Sequence, residues 1–73
     1  MTTKVGSFGK ALKTERLKRS LSQEALAELA GLSRNYVSSI ERGKVSPSLT
    51  TLEKLSKALG LSASKLVGKY EDS

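Results

Sequence analysis

Serine and glycine punctuate this chain at helix-length intervals. Ser22 stands directly before QEALAELA and Gly31 follows it; Ser33 stands before the stretch carrying Val37 and Ile40, and Gly43 follows that. Ser48 precedes Leu52, Leu55, Ser56 and Leu59, which end at Gly60, and Ser62 opens a last short segment with Leu66 and Val67. A serine hydroxyl accepts an amide hydrogen that the first turn of a helix leaves unbonded, while glycine takes positive φ at a helix end without a Cβ penalty. Upstream, Phe8, Ala11, Leu12, Glu15 and Arg16 keep helical spacing, which predicts a first helix over residues 7–19. Ser20 follows, where glycine would most comfortably take the left-handed cap. Pro47 cannot continue a helix but can precede one. No stretch alternates with period two and none repeats another. The expectation is an all-α chain, a compact five-helix bundle, with residues 1–5 and 70–73 fraying for lack of an apolar pattern.

With 73 residues there is room for one domain, 1–73, that buries only about 60% of its unfolded surface. The absence of Cys and His excludes a disulfide framework and the usual zinc sites, and no cofactor is expected. No apolar run is long enough to span a membrane and the amino terminus lacks a secretory signal's apolar stretch, so the expected place of action is cytoplasmic. Thirteen Lys and Arg against seven Asp and Glu give a net charge of +6. Such a surface favours polyanions, although it also serves solubility. Residues 1–20 hold six bases and one acid, whereas residues 21–32 hold only Glu24 and Glu28, which points to an oriented basic face. Acid–base catalysis usually needs His, or carboxylates gathered in a cleft, and neither is evident. There is no acidic trio spaced for magnesium and no glycine-rich phosphate loop, so an enzyme is not expected.

Gln23, Ala27, Gly31, Val37 and Ile40 fall at relative positions 1, 5, 9, 15 and 18 of residues 23–42. Ala27 is small where the next helix crosses, Gly31 allows the tight turn, and Val37 and Ile40 hold the second helix on the first, which defines a helix-turn-helix. With Arg16, LSQEALAELAGLS, IERGK and PSLTTLEKLSKALGLS in order, the chain resembles the Cro and phage-repressor (XRE-like) family from about Phe8 to Val67. The segment SRNYVSSIERGKVSPSL is most similar to that of restriction-modification controller proteins. Ser20, Glu15 and Leu17 depart from the family's pattern, the apolar residue being moved by two positions.

The resemblance implies a third helix seated in the major groove of double-stranded DNA, its first residues facing base edges. Carried over position by position, Arg34, Asn35, Ser38 and Ser39 read bases; Arg suits guanine and Asn adenine, each worth about 1–3 kcal/mol of discrimination. Gln23, Ser33, Tyr36, Arg42, Lys44 and Ser48 match places that grip the phosphate backbone. As residues alone, Tyr36 equally suits packing against the second helix, and Arg42 and Lys44 suit a solvated surface. Arg16 and Glu41 match a structural ion pair between the first and third helices. A lone domain of this size makes few base contacts, so pairing as a homodimer on a palindromic operator is expected. Leu61, Val67 and Tyr70 are candidates for that interface, while Leu66 is assigned to the monomer's own core. Glu24 and Glu28 resemble the acidic patch through which some family members touch RNA polymerase, although two solvated acids explain them as well. The other reading left open is an antitoxin or co-regulator that acts mainly through protein contacts.

Overall fold

The computed structural model describes residues 4–62 and 65–66. They form four helices: α1 (Lys4–Lys18), α2 (Gln23–Ala30), α3 (Arg34–Glu41) and α4 (Leu49–Leu59). Helix α1 thus begins at Lys4 rather than residue 7 and ends at Lys18 rather than 19, and residues 4 and 5 are helical instead of frayed. The apolar spacing begins only at Phe8, but once Phe8 and Leu12 anchor the helix, adding residues to its front fixes few dihedrals for each bond gained. Residues 1–3 and 70–73 lie outside the described residues. Ser62 does open a turn, its hydroxyl accepting the Lys65 amide at 3.2 Å and its carbonyl the Leu66 amide at 3.2 Å. The rest of the expected fifth helix, including Val67, lies outside the described residues.

The caps expected for α2, α3 and α4 form. Ser22 Oγ accepts the Ala25 amide, Ser33 Oγ the Tyr36 amide and Ser48 Oγ the Thr51 amide, at 2.9, 3.1 and 3.1 Å. Each is worth about 1 kcal/mol. The helix ends are equally uniform. Gly31, Gly43 and Gly60 sit at φ of 70°, 72° and 70°, and the next amide reaches back to the carbonyls of Ala27, Ser39 and Ser56 respectively. Ser20 closes α1 in the same way at φ 55°, with the Leu21 amide on the Arg16 carbonyl at 3.2 Å. It therefore bears a steric cost of about 1 kcal/mol that the three glycines avoid.

Helix α1 packs on α3, and α2 packs on both α3 and α4. Phe8, Leu12, Leu26, Val37, Ile40, Leu55 and Leu66 are wholly buried between them. Ala27 is buried as its small size requires, and Leu52, Leu55, Ser56 and Leu59 form the buried stripe of α4. At Gly9 the backbones of α1 and α3 approach closely. A Cβ there would stand 2.5 Å from the Ile40 carbonyl oxygen and 2.6 Å from that of Glu41, so only glycine lets the two backbones approach this far. The two departures noted on α1 also take their places: Leu17 is exposed and Glu15 is buried.

Candidate nucleic-acid interface

The end of α3 is locked by charge-assisted bonds. Arg16 Nε donates to Glu41 Oε2 at 2.7 Å and Nη2 to Oε1 at 3.0 Å, the two-pronged pairing that a guanidinium fork and a carboxylate favour. The third arm, Nη1, donates to the Leu21 carbonyl at 2.7 Å, in the turn that Ser20 makes. Gln23 Nε2 donates to Glu41 Oε1 at 3.0 Å. Side-chain exposure is 8% for Arg16 and 3% for Glu41, so the pair is held nearly dry. One carboxylate thus ties α3 to α1, and through the same cluster to the α1–α2 turn and the first residue of α2. The expected Arg16–Glu41 bridge is present, and Gln23 has an added attachment: one amide hydrogen serves Glu41, leaving the second for another acceptor.

With α3 fixed at that end and Val37 and Ile40 fully buried, the opposite face must look outward. Arg34 and Asn35, in its first turn, are exposed. Ser38 and Ser39 are half-buried further along, and their carbonyls accept bonds from Arg42 Nε at 3.4 Å and from the Lys44 amide at 2.9 Å. Arg42 and Lys44 are exposed at the far end of α3, about 12 Å from Arg34 along an eight-residue helix. Ser33 and Ser48 spend a hydroxyl lone pair on capping while remaining exposed. Tyr36 packs partly against the core, to which α2 contributes Leu26, Ala27 and Ala30, and its hydroxyl lies 3.3 Å from Thr51 Oγ1 on α4.

Among the expected interface residues between copies, Leu61 is half-buried against the core, and Val67 and Tyr70 lie outside the described residues. Leu66 is core, as assigned. Glu24 and Glu28 are exposed on α2. Thr51 carried no signal in the sequence, because a threonine in a first helical turn is unremarked until its neighbour across the bundle is known.

Residues 12–66 match the helix-turn-helix family HTH_3, and the chain belongs to that family. It is similar to the control protein C.MunI of a Mycoplasma species, 46% identical over 65 residues that cover 88% of each chain. It is 48% identical over 63 residues to the immunity repressor of Bacillus phage phi105, covering 86% of this chain and 44% of the repressor, so it spans less than half of that relative. Among solved structures, the restriction-modification controller protein C.AhdI from Aeromonas hydrophila superposes with a TM-score of 0.83 at 42% identity, over 85% of this chain and 94% of that one. No described helix is long and apolar enough to cross a membrane.

Proposed function

We propose that this protein is a sequence-specific transcription regulator that binds palindromic operator DNA as a homodimer and acts in the cytoplasm, in the manner of a controller that represses, activates or both. The observation that carries the reading is the pairing of an outward Arg34 and Asn35 with a reverse face of α3 that is buried and bolted by Glu41. Arg34, Asn35, Ser38 and Ser39 read base edges in the major groove. Gln23, Ser33, Tyr36, Arg42, Lys44 and Ser48 hold the flanking phosphates, Ser48 through its backbone amide, since its hydroxyl hydrogen goes to Thr51. Leu61, Val67 and Tyr70 pair two copies so that their α3 helices stand about 34 Å apart. Glu24 and Glu28 offer RNA polymerase an acidic contact; charge reversal at Glu28 that left promoter activation intact would remove this last assignment.

Selection of bound DNA from a random pool tests the reading. An inverted repeat is expected; Arg34→Ala relaxes one base position in each half by about 1–3 kcal/mol, whereas Lys44→Ala weakens all sites alike. Affinity falls with salt at a log–log slope of about −0.9 per neutralised phosphate. A flat salt response would instead support a protein partner, as for an antitoxin or co-regulator.

A further inference from the structure

We propose that Thr51 is a positioning residue that turns the phenolic hydrogen of Tyr36 outward, so that Tyr36 donates it to a phosphate oxygen of bound DNA. The inference rests on the DNA-binding function proposed above and adds to it a residue outside the reading helix.

Three hydroxyl groups from two helix starts form a chain. Ser48 Oγ accepts the Thr51 amide at 3.1 Å and donates to Thr51 Oγ1 at 3.1 Å. Thr51 Oγ1 lies 3.3 Å from the Tyr36 hydroxyl. Each hydroxyl has one hydrogen to give and two lone pairs. Ser48 gives its hydrogen to Thr51, so Thr51 must place its own elsewhere. Thr14 on α1 places the equivalent hydrogen on the carbonyl of Lys10, four residues back, at 3.0 Å. Thr51 makes no such bond among the described residues, and it is only 7% exposed. The Tyr36 oxygen is its acceptor. The reverse direction would make Thr51 accept twice and leave its own hydrogen buried without a partner, at a cost comparable to a lost hydrogen bond.

The chain therefore runs from Ser48 to Thr51 to Tyr36, and the last hydrogen in it is free. Tyr36 is held for use: its ring packs against the core while its hydroxyl sits between the starts of α3 and α4. Accepting a bond from Thr51 polarises the phenol and makes it a stronger donor. A phosphate oxygen is an acceptor with no hydrogen of its own, which is the partner this polarity fits.

The test is an anisotropy titration with the duplex recovered from random-pool selection, using Tyr36→Phe, Thr51→Val, the double variant and Thr51→Ser, each checked for folding by thermal melting. Tyr36→Phe is expected to weaken binding of the dimer about a hundredfold, about tenfold for the one hydrogen bond to a charged group lost in each half-site. Thr51→Val weakens it several-fold, the double variant is no weaker than Tyr36→Phe, and Thr51→Ser restores wild-type affinity. Methylphosphonates substituted singly along the duplex should reveal one phosphate in each half-site whose neutralisation weakens wild-type protein and not Tyr36→Phe. Wild-type affinity in Tyr36→Phe, tighter binding by Thr51→Val, or additive losses in the double variant would each overturn the assignment. Should Thr51→Val not fold, Thr51→Ala takes its place in the titration, and the absence of a phosphate with that behaviour overturns the assignment by itself. Wild-type protein that does not prefer the selected duplex overturns the DNA-binding function and this inference together, whereas the variant outcomes at retained preference strike only the contact made by Tyr36 and its positioning by Thr51.

Discussion

Arg16 and Arg19, close together at the end of α1, join it to different helices by different chemistry. Arg16 meets a carboxylate from α3, and both side chains are nearly sealed from water. Arg19, one residue past the end of α1, takes its carboxylate from that helix, Glu15 at 2.8 Å, and reaches across the bundle only to a neutral group, the carbonyl of Leu59 at the end of α4, at 2.7 Å. It is also 30% exposed at the side chain. The first joint is mutual: each charge needs the other, because neither has water to fall back on. The second is one-sided, since Arg19 without Glu15 keeps the Leu59 carbonyl and solvent. The joint that sets the attitude of α3 is thus the intolerant one, and the joint to α4 is the forgiving one.

The strongest way to break this contrast is Glu41→Ala, which strands Arg16 and also frees Gln23. A loss of about 3–5 kcal/mol is expected, lowering Tm by more than about 12 °C in a domain of this size. Arg34→Ala, on the exposed face of the same helix, should stay within about 0.5 kcal/mol of wild type. The opposite ranking in a thermal scan would discredit the structural role given to Glu41. Gly9→Ala probes the same α1–α3 joint without touching a charge. Its methyl group would press on the Ile40 and Glu41 carbonyls, which cannot rotate away, and a loss of about 1–3 kcal/mol in urea denaturation is expected. On the other side, Glu15→Leu should leave stability within about 1 kcal/mol of wild type or raise it, because an apolar side chain can replace a buried carboxylate whose partners stay hydrated. A cost equal to that of Glu41→Ala would erase the distinction between the joints. The smallest effect lies in the turn that Arg16 braces: Ser20→Gly should raise stability by about 0.5 kcal/mol, after the greater freedom of unfolded glycine is subtracted from the relief of positive φ. Differential scanning calorimetry resolves its sign.

Those parts of the molecule governed by neighbours in sequence were the readable ones. Ser22, Ser33 and Ser48 cap because a cap needs only the three residues that follow, and Gly31, Gly43 and Gly60 close helices because positive φ is a local demand. The Arg16–Glu41 pair joins residues far apart in sequence, and a family resemblance, not periodicity, identified it. The reason for glycine at position 9 lies in the carbonyls of another helix. Glu15 followed the apolar stripe and proved buried, yet the guanidinium that makes its burial tolerable stands outside that stripe. At the candidate interface, the outward positions of Arg34 and Asn35 followed from the apolar spacing of Val37 and Ile40. The attachment of Gln23 to Glu41 and the hydroxyl chain through Thr51 did not, since a hydrogen bond across the bundle leaves no period behind.

A carboxylate shared among three helices leaves α3 little freedom to tilt. Under the proposed function, a probe this stiff cannot mould itself to its target, and the compliance must come from the double helix. Base pairs between the half-sites that no side chain reaches should then govern affinity through how readily they twist or kink, and easily unstacked pyrimidine–purine steps there would bind best.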